Sequence, residues 1–306
     1  MKIFAVIVTY NAMRRQWIDH CLESLRQSTI SITPIVVDNL STDGTRTHVP
    51  SHYPDAVWMP QTVNLGFGQA NNLGIAYALG HHADYVLLLN QDATISPNAV
   101  KDMIAADDHK SIISPLHLNG SGTMLDRSFR FSISQMPDEF FDDIIVRHKA
   151  ASSYTAHEIC AACWFIPAHI LRAIGGFNPL FFHYGEDNNY YQRLTFHNYH
   201  VTLVPSAHMC HDRQEHGNIT VYNHRHLHRD LLLIFGNINH GFARCMRRYL
   251  SLIFRQYTKQ LPARQYIPGT ILIETLRLLP QANSIRLSRK KEKLTAPTWL
   301  PATTLQ

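Results

Sequence analysis

No run of 18 consecutive apolar residues occurs among the 306 positions, so nothing in the chain reads as a membrane-spanning helix. Cysteine is scarce. Cys21, Cys160, Cys163, Cys210 and Cys245 are scattered and odd in number, which argues against a disulfide framework and for a reducing, cytoplasmic compartment. Cys160-Ala161-Ala162-Cys163 has the spacing of a metal or redox pair, but no second pair follows, and isolated cysteines mostly serve as small buried hydrophobes. There is no Gly-Lys-Ser/Thr phosphate loop and no Gly-x-Gly-x-x-Gly after the first strand, so P-loop and dinucleotide readings fall away. The opening Met-Lys-Ile-Phe-Ala-Val-Ile-Val stops at Thr9 without a small-residue cleavage site and reads as a strand rather than a leader. Large net charge is also missing. The formal +5 lies mostly beyond residue 225, which argues against nucleic-acid binding over the whole surface and for a patch that meets anionic lipid or a phosphate-bearing substrate. Twenty histidines are spread throughout, which weakens any metal argument from a single one.

What is present is a hydrophobic share of 45%, ordinary for a folded chain with one large domain, or one large and one small. Apolar runs at 3–8, 33–37, 56–59, 84–89, 111–115, 161–166 and 201–204 read as strands. Helical spacing lies between them at 17–27, 69–80, 97–107, 169–174 and 187–196. Strands alternating with helices imply an α/β fold with a mostly parallel central sheet and right-handed crossovers. Residues 118–155 break the alternation and read as a substrate-facing insertion. From 225 to 258 the pattern turns helical and amphipathic, followed by a helical piece near 270–278 and a polar tail open to disorder. No internal repeat is visible.

The chemistry gathers at strand ends, where open α/β sheets place their ligands. Tyr85–Leu89 runs directly into Asn90-Gln91-Asp92, and Thr33–Val37 into Asp38-Asn39. Asp38 is suited to accept hydrogen bonds from a base or ribose. Asp43-Gly44 supplies a turn and a second carboxylate, and Ser41 or Thr42 a helix cap. Asn64-Leu65-Gly66-Phe67-Gly68-Gln69-Ala70-Asn71-Asn72 is a Gly- and Asn-rich loop entering a helix, where backbone can approach a ligand and exposed N–H groups suit an anion. Asp92 is one firm carboxylate, to which pyrophosphate oxygens could add the rest of a hard cation's shell. Glu186-Asp187 ends an aromatic stretch from Phe177 to Tyr184 and opens a helix, whose dipole favours a carboxylate able to take a proton from a hydroxyl. Arg193 could meet a phosphate or an acid. His208 and His211 compete as metal ligands.

Taken in order, Val8-Thr9-Tyr10-Asn11, Asp38 to Thr45, the Asn64–Gly74 loop, Leu88 to Asp92, Gly175-Gly176-Phe177 and Gly185-Glu186-Asp187 resemble a family 2 glycosyltransferase of GT-A type, in a rhamnosyltransferase-like subgroup. The resemblance spans about residues 3–235. It implies a nucleotide-diphospho-sugar donor met by Thr9, Tyr10, Asn11, Asp38, Asn39, Asp43, Asn64, Gly66, Asn72, Asn90, Gln91 and Asp92. It also implies Mg²⁺ or Mn²⁺ held by Asp92 and His211, with His211 preferred over His208. Asp187 would be the base and Glu186 its companion acid in an inverting transfer to a saccharide or polyprenyl-linked saccharide. Asn90, Asn178 and Asn189 stand where the family commonly has acids. The resemblance further implies a catalytic domain over 1–225, with a nucleotide-binding half at about 1–115 and an acceptor-binding half at about 116–225, then a basic helical extension over 226–306. Deoxythymidine diphosphate-rhamnose is the expected donor, with uridine diphosphate hexoses and a catalytically degenerate binding protein as alternatives.

The extension's helix brings Arg244, Arg247, Arg248, Arg255 and Lys259 beside Phe242, Met246, Leu250, Ile253 and Phe254, a pattern fit for peripheral contact with an anionic membrane or for a homodimer contact. A nucleotidyltransferase would instead need a Gly-rich, Lys- or Arg-bearing loop after the first strand, where this chain has Thr9-Tyr10-Asn11-Ala12.

Overall fold

A computed structural model of the chain describes residues 1–213, 224–257 and 268–302. Its first half alternates β1 (Ile3–Thr9), α1 (Trp17–Arg26), β2 (Thr33–Asp38), α2 (Thr45–His52), β3 (Val57–Pro60), α3 (Gly66–Gly80) and β4 (Tyr85–Leu89). Then come β5 (Ala93–Ile95), α4 (Ala99–Ala105), β6 (Ser111–Asn119), α5 (Phe129–Ile133), α6 (Asp138–Phe141), β7 (Tyr154–Ala156), β8 (Cys163–Pro167), α7 (Ala168–Ile174), α8 (Glu186–Phe196) and β9 (His200–His211). The described C-terminal helices are α9 (His224–Gly236), α10 (Phe242–Tyr257), α11 (Pro268–Leu278) and α12 (Ala282–Glu292).

The sheet runs β3-β2-β1-β4-β8-β6-β9-β5, with β7 on β9. Pairing is parallel from β3 to β4, as strand–helix–strand units require. Beyond β4 it is mixed: β8 lies antiparallel to both β4 and β6, and β9 is parallel to β6. Parallel character is therefore confined mainly to the N-terminal half. Two short strands, β5 and β7, were not visible as apolar runs, and both pair antiparallel with β9.

Each central strand is apolar on both sides because helices cover both faces. On β1, Phe4 and Val6 face α3, α7 and α8, whose Ile75, Leu171 and Tyr190 join the same core. Ile3, Ala5 and Ile7 face the other way, toward Leu22 of α1, Val49 of α2 and Met103 of α4. Helical spacing in α1 buries Ile18, Cys21, Leu22 and Leu25 on one side. A third, smaller apolar cluster joins Phe181 to Leu231, Ile271 and Ile285 of the C-terminal helices. The polar tail expected after 278 is instead α12, followed by a segment in which Thr298 is buried. Residues 303–306 lie outside the described residues, as do 214–223, just before the boundary drawn at 225.

Leu88 in β4 is paired with Val6 on one side and Trp164 on the other and is 1% exposed. Leu88→Ala is expected to cost about 2–5 kcal/mol in urea unfolding, whereas Phe131→Ala on the surface should cost less than about 0.5 kcal/mol.

Candidate active site

The parallel register aligns Thr9 with Asp38 at the carboxyl ends of β1 and β2. Asp38 is fully buried: it accepts hydrogen bonds from Thr9 Oγ1 at 3.2 Å and the Ser41 N–H at 3.2 Å, and it pairs with Arg46 Nε at 3.3 Å. Thr9 and Asp38 thus form a floor beneath the site. Asn39 receives the Leu65 N–H on its amide oxygen at 2.7 Å and donates to Asn64 Oδ1 at 3.0 Å and Gly66 O at 3.3 Å. This ties the Gly-rich loop to the end of β2. Gln91 does the same across the sheet. Its side-chain amide accepts from Tyr10 N–H at 2.8 Å and donates to Tyr10 O at 3.1 Å, binding the ends of β1 and β4.

A cavity of about 1010 Å³ opens above these ends, and Tyr10, Asn39, Asn64, Gly66, Asn90, Gln91 and Asp92 line it. Its opposite rim is the loop from Leu180 to Tyr184, and the helices α9 and α11 close it with His226, His228, Arg229, Glu274 and Arg277. Gly66 adopts φ 75°, and a Cβ there would stand 2.2 Å from Phe182 O, so only glycine admits this loop contact. The aromatic stretch divides: Phe177 and Phe181 are buried, while Phe182 and Tyr184 are exposed at the cavity.

Three expected donor residues stand elsewhere. Asp43 accepts from the N–H groups of Met13 and Thr45 and from Thr45 Oγ1, so it shapes the turn rather than facing the cavity. Asn11 is part of the same turn, accepting the Thr42 N–H at 2.8 Å. Asn72 is buried and directs its amide to Phe177 and Trp299. Arg193 does not face the cavity; it is fully buried, its guanidinium against the carbonyls of Ile174 and Gly176.

The antiparallel register Ala93↔His211 between β5 and β9 brings Asp92 beside His211, with His211 Nε2 3.1 Å from Asp92 Oδ1. Asn90 Nδ2 lies 3.4 Å from the same ring nitrogen, and Asn90 Oδ1 is buried without a partner. His211 Nδ1 accepts from Arg213 Nε at 3.1 Å and has the buried Asp126 at 3.9 Å. Asp126 escaped the sequence reading. Its one visible signal was as a cap, since it receives the N–H groups of Ser128 and Phe129. A carboxylate and an imidazole nitrogen 3.1 Å apart, with a buried amide oxygen of the neighbouring Asn90 left without a partner, fit a hard divalent cation that takes further oxygens from a phosphate. Among the described residues no group of three or more His, Cys, Asp or Glu could hold one unaided.

At the start of α8, Asp187 receives the Asn188 N–H at 2.8 Å, and the Ala161 N–H also holds it. Ala162 O in turn accepts the Asn90 N–H at 3.0 Å. The Cys160–Cys163 stretch therefore links the two ends of the site through its backbone, while Cys163 is a buried core thiol. Burial raises the Asp187 carboxyl above its ordinary value, against the pull of those two N–H groups. Burial, then the charge of Asp187, pushes Glu186 up to about 7, and its Oε2 has no partner. Burial also raises Glu158, whose carboxylate hydrogen-bonds Asn188. Glu158 likewise gave no sequence signal. Crowded, desolvated carboxyls make strong bases, which suits proton abstraction from a hydroxyl.

This curled mixed sheet, with its cavity over the strand ends, is the GT-A type of glycosyltransferase fold. Residues 4–171 match the sequence model of glycosyl transferase family 2, more than half of the chain, and the chain belongs to that family. Over 211 residues, 60% of this chain and 67% of the other, it is 24% identical to N-acetylglucosaminyl-diphospho-decaprenol L-rhamnosyltransferase of Mycobacterium tuberculosis. Among solved structures it is similar to S. aureus TarS 1–349 in complex with UDP, with TM-score 0.57 and 14% identity, covering 96% of this chain and 88% of that one. It spans 55% of a longer TarS structure. It is also similar to the mannosyltransferase PcManGT of Pyrobaculum calidifontis in complex with GDP-Man and Mn²⁺, with TM-score 0.58, 16% identity, and coverage of 95% and 84%.

An acid held protonated by the fold favours the folded state at low pH and loses that advantage as pH rises from the unfolded to the folded value. For Glu186 that window runs from about 4.3, the unperturbed glutamate value, to about 7. Glu186→Gln should therefore raise the melting temperature at pH 8, by the equivalent of about 1–3 kcal/mol, with the gain fading by about pH 5. Thermal melts of both proteins across pH check this.

Proposed function

We propose that the chain is an inverting glycosyltransferase that moves rhamnose from deoxythymidine diphosphate-rhamnose to a hydroxyl of a saccharide or lipid-linked saccharide in cell-surface polysaccharide synthesis. One observation carries this: a single cavity has nucleotide-suited strand ends and Asp92 on one wall, with His211 buried behind Asp92, and its opposite rim is the Leu180–Tyr184 loop that runs into α8 and its two carboxyls. Tyr10, Asn39 and Asn64 face the base and ribose, while Thr9 and Asp38 brace them from below. Asn90, Asp92 and His211 are the residues that would hold Mg²⁺ or Mn²⁺, which when bound neutralises charge on the departing diphosphate. Asp187, its basicity raised by burial, takes the proton of the acceptor hydroxyl, with Glu186 beside it as companion acid. The hydroxyl oxygen attacks the anomeric carbon opposite the leaving diphosphate. One C–O bond forms as the other breaks, inverting the centre. Residues 1–225 carry this chemistry, and α9 and α11 of the 226–306 extension close the cavity.

The rhamnosyl donor and lipid-linked acceptor rest on the name of the mycobacterial relative. A uridine diphosphate hexose is the second donor reading, favoured by the UDP bound to the TarS neighbour. Thermal stabilisation by nucleoside diphosphates and their sugars, with Mg²⁺, Mn²⁺ or EDTA, separates them. Metal-dependent stabilisation by one nucleotide, lost in Asp92→Ala, is expected. No stabilisation by any of them would favour a degenerate binding protein. Asp187→Asn should keep donor binding and lower kcat by about 10²–10⁴.

The acceptor's lipid would lie near α10 at the inner face of the membrane. No helix among the described residues is long and apolar enough to cross a bilayer. On α10, Phe242, Leu250 and Phe254 are exposed beside exposed Arg244, Arg247 and Arg248. Lys259 and the side chain of Arg255 lie outside the described residues. Replacing Arg244, Arg247 and Arg248 with Gln should weaken binding to phosphatidylglycerol vesicles on the order of a hundredfold, at about 1 kcal/mol per arginine. Binding that does not change, together with a dimer in sedimentation, would assign the face to a second copy of the chain.

A further inference from the structure

The chain after α11 lies against the loop and helix that carry the candidate base. The Gly176 N–H donates to Thr298 O at 2.8 Å, and Thr298 Oγ1 donates to Ile174 O at 3.0 Å. Asn72 Nδ2 donates to both Phe177 O at 2.8 Å and Trp299 O at 3.2 Å, joining this C-terminal strap to the Gly-Gly-Phe turn. Gly175 has φ 79°, and a Cβ there would stand 1.9 Å from Thr298 O; one at Gly176 would stand 2.2 Å from Asn72 Oδ1. The glycine pair is thus a seat for the strap.

Beneath the seat two ionisable side chains, Arg193 and Glu292, are buried. Arg193 is fully buried, and its guanidinium meets carbonyl oxygens and, at 3.1 Å, Thr298 Oγ1. Its electrostatic counterpart is Glu292 on α12, itself 1% exposed. Asn178 Nδ2 donates to Glu292 Oε1 at 2.7 Å and to Ser288 Oγ at 2.7 Å. Asn189, buried in the first turn of α8, also pulls on the Glu292 carboxyl. His197, just past the end of α8, reaches Glu292 O through Nε2 at 2.8 Å. Glu186, Asn189 and Arg193 follow one another at helical spacing and are all buried on α8.

We propose that Glu292 is a positioning residue for catalysis: through Asn178 and Asn189 it sets the seat and direction of α8, and hence of Glu186 and Asp187. The proposal rests on Asp187 being the base. It accounts for amides rather than acids at 178 and 189. An acid at either position would put a second carboxylate against Glu292 in a site with one cation, and two such groups cannot both ionise at hydrogen-bond distance. The charge could, however, trade places with the amide.

The test compares Glu292→Ala, Asn178→Asp and the exchange variant Asn178→Asp/Glu292→Gln in the full chain. Hydrogen exchange followed by mass spectrometry reads α8 without any substrate. In each single variant, exchange over 175–196 should rise about tenfold while β1, β2 and β4 stay protected. The exchange variant should recover wild-type protection. With the donor that stabilises the wild type, kcat of the single variants should fall about a hundredfold with donor KM within about twofold, and the exchange variant should regain most of kcat. Overturning results are exchange that rises evenly through the sheet, an exchange variant no better than Asn178→Asp, or kcat unaltered in Glu292→Ala. If the wild type turns over no donor, the transferase reading fails alone, and protection of α8 still decides the role of Glu292.

Discussion

Parallel pairing of β1 with both β2 and β4 is the constraint on which the rest of this molecule depends. The register sets Thr9 level with Asp38 and Val6 level with Leu88, so the carboxyl ends of three strands finish along one edge. With the apolar residues of these strands buried on two faces, sliding any strand by one residue would exchange its two faces and mismatch the side chains packed into both cores. The polar ends are therefore held in place by hydrocarbon packing some distance away. Gln91 and Asn39 then add side-chain amides that fasten neighbouring ends to each other. A rigid platform of this kind lets a mobile substrate meet groups already in position.

The opposite side of the cavity is organised by charge more than by apolar packing. Glu186, Asp187 and Glu158 crowd together with their carboxyls pushed upward by burial. Such a group works against folding at neutral pH, so something must hold its helix down. The apolar cluster around Phe181 and the hydrogen bonds of Asn178 to Glu292 and of Arg193 to Thr298 join that side to the C-terminal segments. The described C-terminal helices thus pack against the family core, although the core alone carries the recognisable motifs.

Much of this was legible in the chain. Alternating strand and helix patterns located β1 to β4 and α1, α3, α7 and α8 within a few residues, because strong apolar periodicity leaves little choice of face. The groups lining the cavity at Tyr10, Asn39, Asn64, Asn90 and Asp92 were legible for a related reason: polar residues directly after buried strands stand at a sheet's ligand-binding edge. Asp43 and Asn72 belonged to equally suggestive stretches, yet local backbone donors and the strap take up their hydrogen-bonding groups. β5 and β7 were missed because three residues are too few to show a period, and pairing with β9 defines them.

The sequence by itself determined the α/β class, the run of alternating strands and helices in the N-terminal half and which strand ends would be polar, since these follow from local periodicity and from the chemistry of adjacent residues. Only the tertiary structure decided that His211 reaches Asp92, that Asp126 and Arg213 stand behind it, and that Glu292 sits under α8. Those contacts join residues far apart along the chain, through an antiparallel register and a returning C-terminal segment. Neither leaves a periodic trace, because the energy that selects them comes from neutralising and hydrogen-bonding buried polar groups once the fold has already brought them together.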